Sequence, residues 1–501
     1  MNHPSPVRAS DLVGCRYRLR QRAAHPDVPP LPEALERKPR LDAARALVLD
    51  QLPVKRAVGD GRGRAFVRVD LDPAQADELR VAETWAAVRK RAHLITNAAL
   101  RGEIDGVDVL AEVDVLVRVG GPGEPARYLP VIISDHRVAR PHAEETLEMV
   151  AVNRLGLSAP LKVGAKARHH TLDGYRLALA ELLLRAHGLA TGRGGVIGQD
   201  RSRVYFADTT RYAPAVRGAL AAPTPTEPKR LKQCATCRFW PLCRPRLEEL
   251  DDISLVLPGG RGDAWRERGL TTVQSLIDAS VGEPSRIAAA WREGIPVLRR
   301  PGTIEVPRAD VEVDIDMEAY LDQGAYLWGT FDGRAYRVFA TWEEVGGAAE
   351  EANFAAFWSW LTQLRETAHA AGKTFRAYCF SASGENYWMQ ASARRFGSMD
   401  ASEVQAFIAS EEWVDVFAIA RRHLVGTDGL GLKVLGPAAG FEWEDAGMDG
   451  ERSVALRRAA RLGDADARAM LLRYNEDDCR ATRAVREFLA AQAPGVPELF
   501  A

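Results

Sequence analysis

Acidic side chains in the last third of the chain have the spacing of a metal-dependent site. Asp316 and Glu318 lie two residues apart in an alternating run that begins near Val311, and this run predicts a strand. Residues two apart on a strand share one face, so the two carboxylates lie side by side. They repel each other unless a cation sits between them, and the spacing therefore predicts ligands for a divalent ion.

Further acids follow at the ends of other predicted elements. Glu385 comes after an apolar strand predicted at 375–380. Tyr474 and Asp478 lie four apart, on one face of a helix that is predicted to open at Tyr474 and to run to Leu489. The alternative is that these acids are surface charges and that Asp478 favours the dipole of a helix N-terminus.

Two more residues of this region leave alternatives open. Asp415 either contributes to the site or caps the helix that runs towards His423. Lys433 either faces a phosphate or is an ordinary solvated lysine.

A second set of residues has the chemistry of a thiolate metal site. Cys234-x-x-Cys237-x5-Cys243 supplies three soft ligands at close spacing, and a four-ligand site then needs Cys15 from far upstream. An iron–sulfur cluster is favoured over zinc, because the double Cys-x-x-Cys of a zinc ribbon is absent. The remaining two cysteines lie in apolar or helical surroundings and are expected to be core residues: Cys379 and Cys479.

Composition limits the class of protein. The chain has 501 residues, which is enough for two or three domains, and its hydrophobic content is 46%. Neither a membrane-length apolar run nor a secretory segment is evident, so a cytoplasmic location is expected by default. The net charge of −1 announces no global basic field, so any nucleic-acid site must be local. Basic residues do cluster near the cysteines: Lys229, Arg230, Lys232, Arg238, Arg244 and Arg246.

Breaks at 223–228 and 299–302 divide the chain into 1–248, 249–302 and 303–501. The first part is predicted to be an α/β domain whose elements are a helix and strand over 82–99, strands at 113–119 and 128–133, a turn at 120–123 and a helix over 172–187. The fold class is therefore α/β and multidomain.

The middle part is similar to a helix-hairpin-helix module. Gly260 and Gly262 would form its hairpin, where glycine lets backbone N–H groups approach a phosphate. Thr272 is predicted to cap a following helix. The alternative is an ordinary tight turn between helices.

The third part resembles the DEDD exonucleases of the RNase H-like superfamily, in the variant with a tyrosine four residues before the last aspartate. The resemblance implies that Asp316, Glu318, Glu385 and Asp478 hold two Mg²⁺ or Mn²⁺ ions about 3.5–4 Å apart. It also implies that Tyr474 orients the attacking water. The chain departs from the family at Glu385, where the family usually has an aspartate.

The first part resembles RecB-like nucleases of the PD-(D/E)XK class that carry an iron–sulfur cluster. The resemblance implies a 4Fe-4S cluster on the four clustered cysteines, and it matches the metal-binding aspartate of that class to Asp114. The next strand should carry an acid, one residue and a lysine, but Ile132 and Ser134 stand there.

A shifted register offers Asp135 and Arg137 as the acid and the base, but an arginine cannot be deprotonated and is bulkier than an ammonium. The N-terminal nuclease site is therefore predicted to be disabled, with its domain retained as a clamp on nucleic acid.

The whole chain resembles bacterial RecB-like nucleases fused to an RNase H-like domain. The resemblance implies a metal-dependent nuclease, a 3′→5′ exonuclease on single-stranded DNA or RNA that cuts with its C-terminal site. The alternative is a non-catalytic iron–sulfur scaffold that binds nucleic acid in a repair or defence complex.

Overall fold

The computed structural model describes residues 6–54, 66–120, 124–321, 323–445, 447–448 and 450–500. The chain forms two compact units, Met1–Ser254 with Pro258–Arg261 (unit 1) and Leu255–Leu257 with Gly262–Ala501 (unit 2). Both contain sheets and helices, which confirms the predicted α/β multidomain class. The three-part division by sequence stays a prediction. Within the described ranges, no helix has both the length and the apolar character needed to cross a bilayer.

Unit 1 is built on one mixed sheet. Its strands are β1 (Arg68–Asp70), β2 (Leu94–Ile104), β3 (Val107–Val119), β4 (Arg127–Ile133), β5 (Ala139–Ala151), β6 (Leu161–Ala167), β7 (Arg193–Ile197) and β8 (Arg203–Asp208). Its helices are α1 (Ala9–Leu12), α2 (Tyr17–Ala24), α3 (Pro32–Gln51), α4 (Asp77–Arg89), α5 (Thr171–Ala186), α6 (Ala213–Ala221) and α7 (Trp240–Glu249). The strand order is β1-β2-β3-β4-β7-β8-β5-β6.

The core of unit 1 follows the hydrophobic pattern of its sequence. Helix α5 buries a run of leucines and alanines against β2 and β3, since Leu179, Ala180 and Leu183 belong to the same cluster as Leu100. The predicted strands at 113–119 and 128–133 and the predicted helix over 172–187 are confirmed. Residues 121–123 of the predicted turn lie outside the described residues.

Unit 2 contains the remaining elements. Its strands are β9 (Val297–Arg299), β10 (Val311–Tyr320), β11 (Gly324–Phe331), β12 (Tyr336–Ala340), β13 (Phe375–Cys379), β14 (Trp413–Asp415) and β15 (Leu424–Gly426). Its helices are α8 (Asp263–Glu267), α9 (Val273–Asp278), α10 (Glu283–Arg292), α11 (Ala348–Ala370), α12 (Ser383–Phe396), α13 (Ala401–Ile408), α14 (Val416–His423), α15 (Leu432–Ala438), α16 (Gly450–Arg461) and α17 (Ala465–Ala490).

Five strands of unit 2 form a sheet in the order β12-β11-β10-β13-β14. Strands β12, β11 and β10 are antiparallel neighbours, whereas β10, β13 and β14 run parallel. The two faces of β10 differ because its side chains alternate. Val313 and Ile315 pack with Phe354 and Phe357 of α11, and the acidic residues between them face α17.

The glycine run of the middle part is not a hairpin between two helices. Gly259–Gly262 form one 3₁₀ turn that leads directly into α8, because Gly262 is its N-terminal cap. Thr272 caps α9 as predicted, with its hydroxyl accepting from the Ser275 amide.

A buried ion network joins α17 to β10. The fully buried Arg486 guanidinium donates to both carboxylate oxygens of Asp314, at 2.7 and 3.0 Å, and to Glu312 at 2.9 Å. It also lies 4.2 Å from the ring centroid of Tyr378. One guanidinium therefore pairs with two of the carboxylates on β10, and its fork geometry fixes the helix against the strand.

Arg486→Met should strongly destabilise the chain, because it leaves the buried Asp314 carboxylate without its counter-charge. Removing one partner of a buried pair costs about 3–5 kcal/mol. Arg480→Met is the matched control, since Arg480 pairs with Glu476 on the surface of the same helix, where an exposed pair contributes about 0.5 kcal/mol. Thermal unfolding of the two variants measures the difference, and equal melting temperatures would contradict the assigned role of Arg486.

Candidate active site

Three acids of unit 2 converge on one point. Ligand oxygens of Asp316, Glu318 and Asp478 all lie within 4.8 Å of one another, a separation that one cation or a pair of cations can bridge. Two of them come from one face of β10 and the third from α17. Strand β10 continues beyond Glu318 to Tyr320, after a bulge between Glu318 and Ala319. Strict alternation predicts the shared face but gives no sign of the extra residue.

Helix α17 begins nine residues earlier than predicted. Asp464 caps it by accepting from the Ala467 amide, so Tyr474 and Asp478 lie in its middle. The alternative that Asp478 serves a helix N-terminus is therefore wrong, because the dipole acts only within the first turn. Tyr474 and Asp478 share the buried face of the helix, as their spacing predicts.

A chain of hydrogen bonds fixes the carboxylate of Asp316. Asn475 donates its side-chain amide to Asp316 Oδ2 at 2.7 Å, and the amide oxygen accepts from the Tyr336 hydroxyl at 2.8 Å. Gly329 lies directly opposite Asp316 on β11, where any Cβ would overlap the amide oxygen of Asn475. The glycine is therefore required for the close approach of helix and strand.

The carboxylate of Asp478 is held by aromatic residues. Trp443 donates its indole N–H to Asp478 Oδ1 at 2.7 Å, and the Tyr474 hydroxyl also bonds to this carboxylate. The Trp443 ring rests on Gly436 of α15, where a Cβ would lie 2.5 Å from the ring. Both bonds leave room on the carboxylate for a cation.

Glu385 lies in the first turn of α12 and is buried. It is near enough to raise the pKa values of Asp316 and Glu318, although it is not part of the group within 4.8 Å. Asp415 caps α14 by accepting from the Ala418 amide, and it accepts from the Ser381 amide as well. The capping alternative for Asp415 is therefore confirmed.

The electrostatics of the site favour a bound cation. Burial first, and then the neighbouring acids, raise the pKa of Asp316 well above its usual range. Burial first, and then the charges of Asp478 and Glu385, raise the pKa of Glu318 to about 8. Burial also raises the pKa of Glu385 to about 8. Carboxylates in this state are stabilised by a divalent ion, which removes both the repulsion and the desolvation penalty.

Lys433 lies at the edge of this group. Its ammonium is 3.8 Å from Asp478 Oδ1, 3.7 Å from the ring centroid of Trp443 and 4.8 Å from that of Tyr474. The side chain is 44% exposed, so it is neither buried nor simply solvated.

The cysteines predicted to bind metal lie together in unit 1. Cys15, Cys234, Cys237 and Cys243 all line one cavity of about 440 Å³. Burial and the neighbouring thiols raise the pKa of Cys243 to about 11, while the amide of Gln21 lowers it by donating to the sulfur at 3.4 Å. The other two cysteines are buried in unit 2, in line with their predicted core role: Cys379 and Cys479.

Asp114 of β3 faces positive charge rather than an open site. Its buried carboxylate accepts from Arg45, from Arg176 at 3.0 Å and from the Ile133 amide at 2.7 Å. Burial raises the pKa of Asp114, but Arg176 and Arg45 lower it by more. The pKa of this carboxyl is therefore below its usual range.

The residues that the sequence offers as partners of Asp114 make other contacts in the structure. Ile132 and Ser134 are buried, and the Ser134 hydroxyl donates to Asp173 at 2.6 Å. Asp135 pairs with Arg201 at 3.1 Å, and Arg137 is exposed.

Ion pairs reduce the positive charge near the cysteines. Arg246 pairs with Glu227 at 2.7 Å and with Glu249 at 2.8 Å, and Arg244 pairs with Glu248 at 2.8 Å. Lys232 is exposed, Lys229 is half-buried, and Arg230 lies 5.9 Å from the ring centroid of Trp240.

The residues that hold the acids in place are not predicted from the sequence: Gly329, Tyr336, Gly436, Trp443, Asn475 and Ser453, which hydrogen-bonds to Glu318. Asn475 had a signal, since it lies between Tyr474 and Asp478 in the chain. Trp443 lies in a loop without periodicity, so no local pattern predicts its contact.

Comparison with known proteins identifies the C-terminal region. Residues 314–490 match the RNase_H_2 model, described as RNase_H superfamily, and this fold generally belongs to nucleases that cleave phosphodiesters. No curated protein matches the chain. A solved structure titled "Crystal structure of SSO0001" is 12% identical, covers 49% of this chain and 89% of that chain, and superposes with a TM-score of 0.24. A likeness at this level carries no argument about the fold.

Gly436→Ala should weaken binding of Mn²⁺ to the acidic group by about tenfold, because the added methyl displaces Trp443 from Asp478 and outer-shell changes cost about 10–100-fold. Gly431→Ala is the control, because Gly431 directly precedes the same helix and a Cβ added there would meet open space. Titration of free Mn²⁺ by electron paramagnetic resonance measures both affinities. Equal affinities in the two variants would show that Trp443 does not position Asp478.

Proposed function

We propose that the chain is a divalent-metal-dependent nuclease, because its residues 314–490 form a domain of the RNase H superfamily with an acidic group in it. The proposed reaction is 3′→5′ exonucleolytic hydrolysis of single-stranded DNA or RNA. The observation that carries the proposal is the convergence of Asp316, Glu318 and Asp478 within 4.8 Å inside the matched domain.

In this proposal some residues ligate the cations, and others hold those ligands in position. Asp316, Glu318 and Asp478 would ligate one ion, and Glu385 with Asp316 would complete a second position. When bound, the ions supply an activated water and stabilise the departing oxygen. Asn475 and Trp443 keep two of the ligands in one orientation, so little rearrangement is needed when a cation enters.

Tyr474 has a supporting role in this proposal. Its hydroxyl bonds to Asp478, and burial raises its pKa, so it stays protonated near neutral pH. A protonated phenol both donates and accepts hydrogen bonds, which is the property needed to orient a water beside a ligating carboxylate.

Asp316→Asn should lower Mn²⁺-dependent digestion of an end-labelled single-stranded oligonucleotide by about a hundredfold or more. Even outer-shell changes cost about 10–100-fold, and Asp316 is proposed as a direct ligand. Asp310→Asn is the control, because this acid is exposed just before β10 and bonds to Thr374.

Undiminished digestion by Asp316→Asn would refute the assignment of the site. A wild-type chain that retards the oligonucleotide on a gel but never shortens it would instead favour the non-catalytic scaffold. A ladder that shortens from the 5′ end would refute the proposed polarity.

The proposal assigns unit 1 a binding role. Asp114 is enclosed by two guanidinium groups, which already supply the positive charge that a metal would bring, and this supports a disabled nuclease site. Residues Lys229, Arg230, Lys232, Gly260 and Gly262 stay candidates for contact with nucleic acid.

The four clustered cysteines are proposed to hold a 4Fe-4S cluster, with zinc as the alternative. All four line one cavity, yet among the described residues only the acidic group brings three ligand atoms within 4.8 Å. A single tetrahedral zinc needs its sulfurs about 3.8 Å apart, given Zn–S bonds of about 2.3 Å. A 4Fe-4S cluster is also held by four thiolates, and the chain lacks the double Cys-x-x-Cys of a zinc ribbon.

Protein purified without oxygen should contain about four irons per chain and show broad visible absorption, as a four-thiolate cluster does. Cys237→Ala should lose both, whereas Cys379→Ala should keep both, because Cys379 is buried in unit 2. Colourless wild-type protein with one zinc per chain would identify the alternative, since zinc has a filled d shell.

A further inference from the structure

Lys433 is held beside the acidic group in an unusual way. Its ammonium lies over the faces of Trp443 and Tyr474, and these are the same two residues that bond to Asp478. The rings therefore fix the lysine and the carboxylate relative to each other. A lysine on the surface normally moves through many rotamers, so this confinement must be built by the surrounding residues.

Within the part of the chain that the structure describes, the Lys433 ammonium has N–H donors without a hydrogen-bond acceptor. Lysine has three N–H donors, and aromatic faces attract the charge without providing a lone pair. The carboxylate of Asp478 lies 3.8 Å away, which is beyond hydrogen-bonding distance. Asp478 already accepts from Trp443 at 2.7 Å, so the lysine is not the group that orients it.

The position suits an anion that approaches the acids from solvent. The side chain is 44% exposed, and Asp478 is only 8% exposed and lies deeper. A ligand oxygen bound to a cation on Asp478 would come within reach of the ammonium. Phosphate is the anion that combines a cation ligand with an acceptor for lysine.

We infer that Lys433 binds a non-bridging oxygen of the phosphate that the acidic group receives. This inference rests on the proposed function and deepens it, because it names the phosphate-binding residue of the same site. Lys433 then contributes to affinity for phosphate and to neutralising its charge, while Asp316, Glu318 and Asp478 hold the cations. The aromatic rings make the lysine a fixed contact, selective for a phosphate next to the metal.

The test measures binding in the full-length chain, using Mn²⁺ alone and then thymidine 5′-monophosphate in the presence of Ca²⁺. Lys433→Met keeps the length of the side chain and removes the charge. It should bind Mn²⁺ like the wild type but the nucleotide about tenfold more weakly, since a bond to a charged group is lost. Lys433→Arg should recover part of the affinity, because a guanidinium also binds phosphate.

Lys373→Met is the matched control, because this lysine is exposed in the turn after α11. It should bind both ligands like the wild type. If Lys433→Met binds the nucleotide as tightly as Lys373→Met does, the inference is overturned. The same holds if the wild type binds Mn²⁺ but no nucleotide.

Failure of the proposed function has a different signature. In that case Asp478→Asn and the wild type would bind Mn²⁺ equally weakly, and no variant would distinguish the acidic group from the rest of the surface. If Lys433→Met lost Mn²⁺ binding together with nucleotide binding, Lys433 would be a structural support for Asp478, which also overturns the inference.

Discussion

The repulsion between acids on one face of β10 is the constraint on which unit 2 depends. Glu312, Asp314, Asp316 and Glu318 alternate along the strand and all face α17. Four carboxylates in a partly dry row destabilise a fold unless positive charge is supplied. Arg486 supplies it for the first two, and the other two are left for a cation from solution.

The elements around β10 keep one half of the acidic row paired with Arg486 and the other half available to a cation. Helix α17 carries both the guanidinium that closes one half of the row and the aspartate that completes the other half. Gly329 allows the helix to approach closely enough for Asn475 to reach Asp316. Gly436 does the same for Trp443 and Asp478. The positions of Asp316 and Asp478 therefore each depend on a glycine.

The sequence predicted what short-range patterns determine. Alternation predicted β10 and the shared face of its acids, and helical spacing predicted that Tyr474 and Asp478 share a face. Helix α17 begins before the predicted start at Tyr474, because the alanine-rich turns that follow Asp464 also favour a helix. The contacts of Trp443 and Lys433 join distant segments, and no local period records them. The resemblance to the RNase H superfamily is matched over 314–490, whereas the resemblance of the first part to RecB-like nucleases stays a prediction.

The buried Arg486 guanidinium also affects the protein when no ion is bound at the acidic group. Arg486 is covalently part of the chain, so Glu312 and Asp314 have a counter-charge as soon as the helix docks. This half of the acidic row therefore keeps its counter-charge within the chain itself, independently of any ion at Asp316, Glu318 and Asp478.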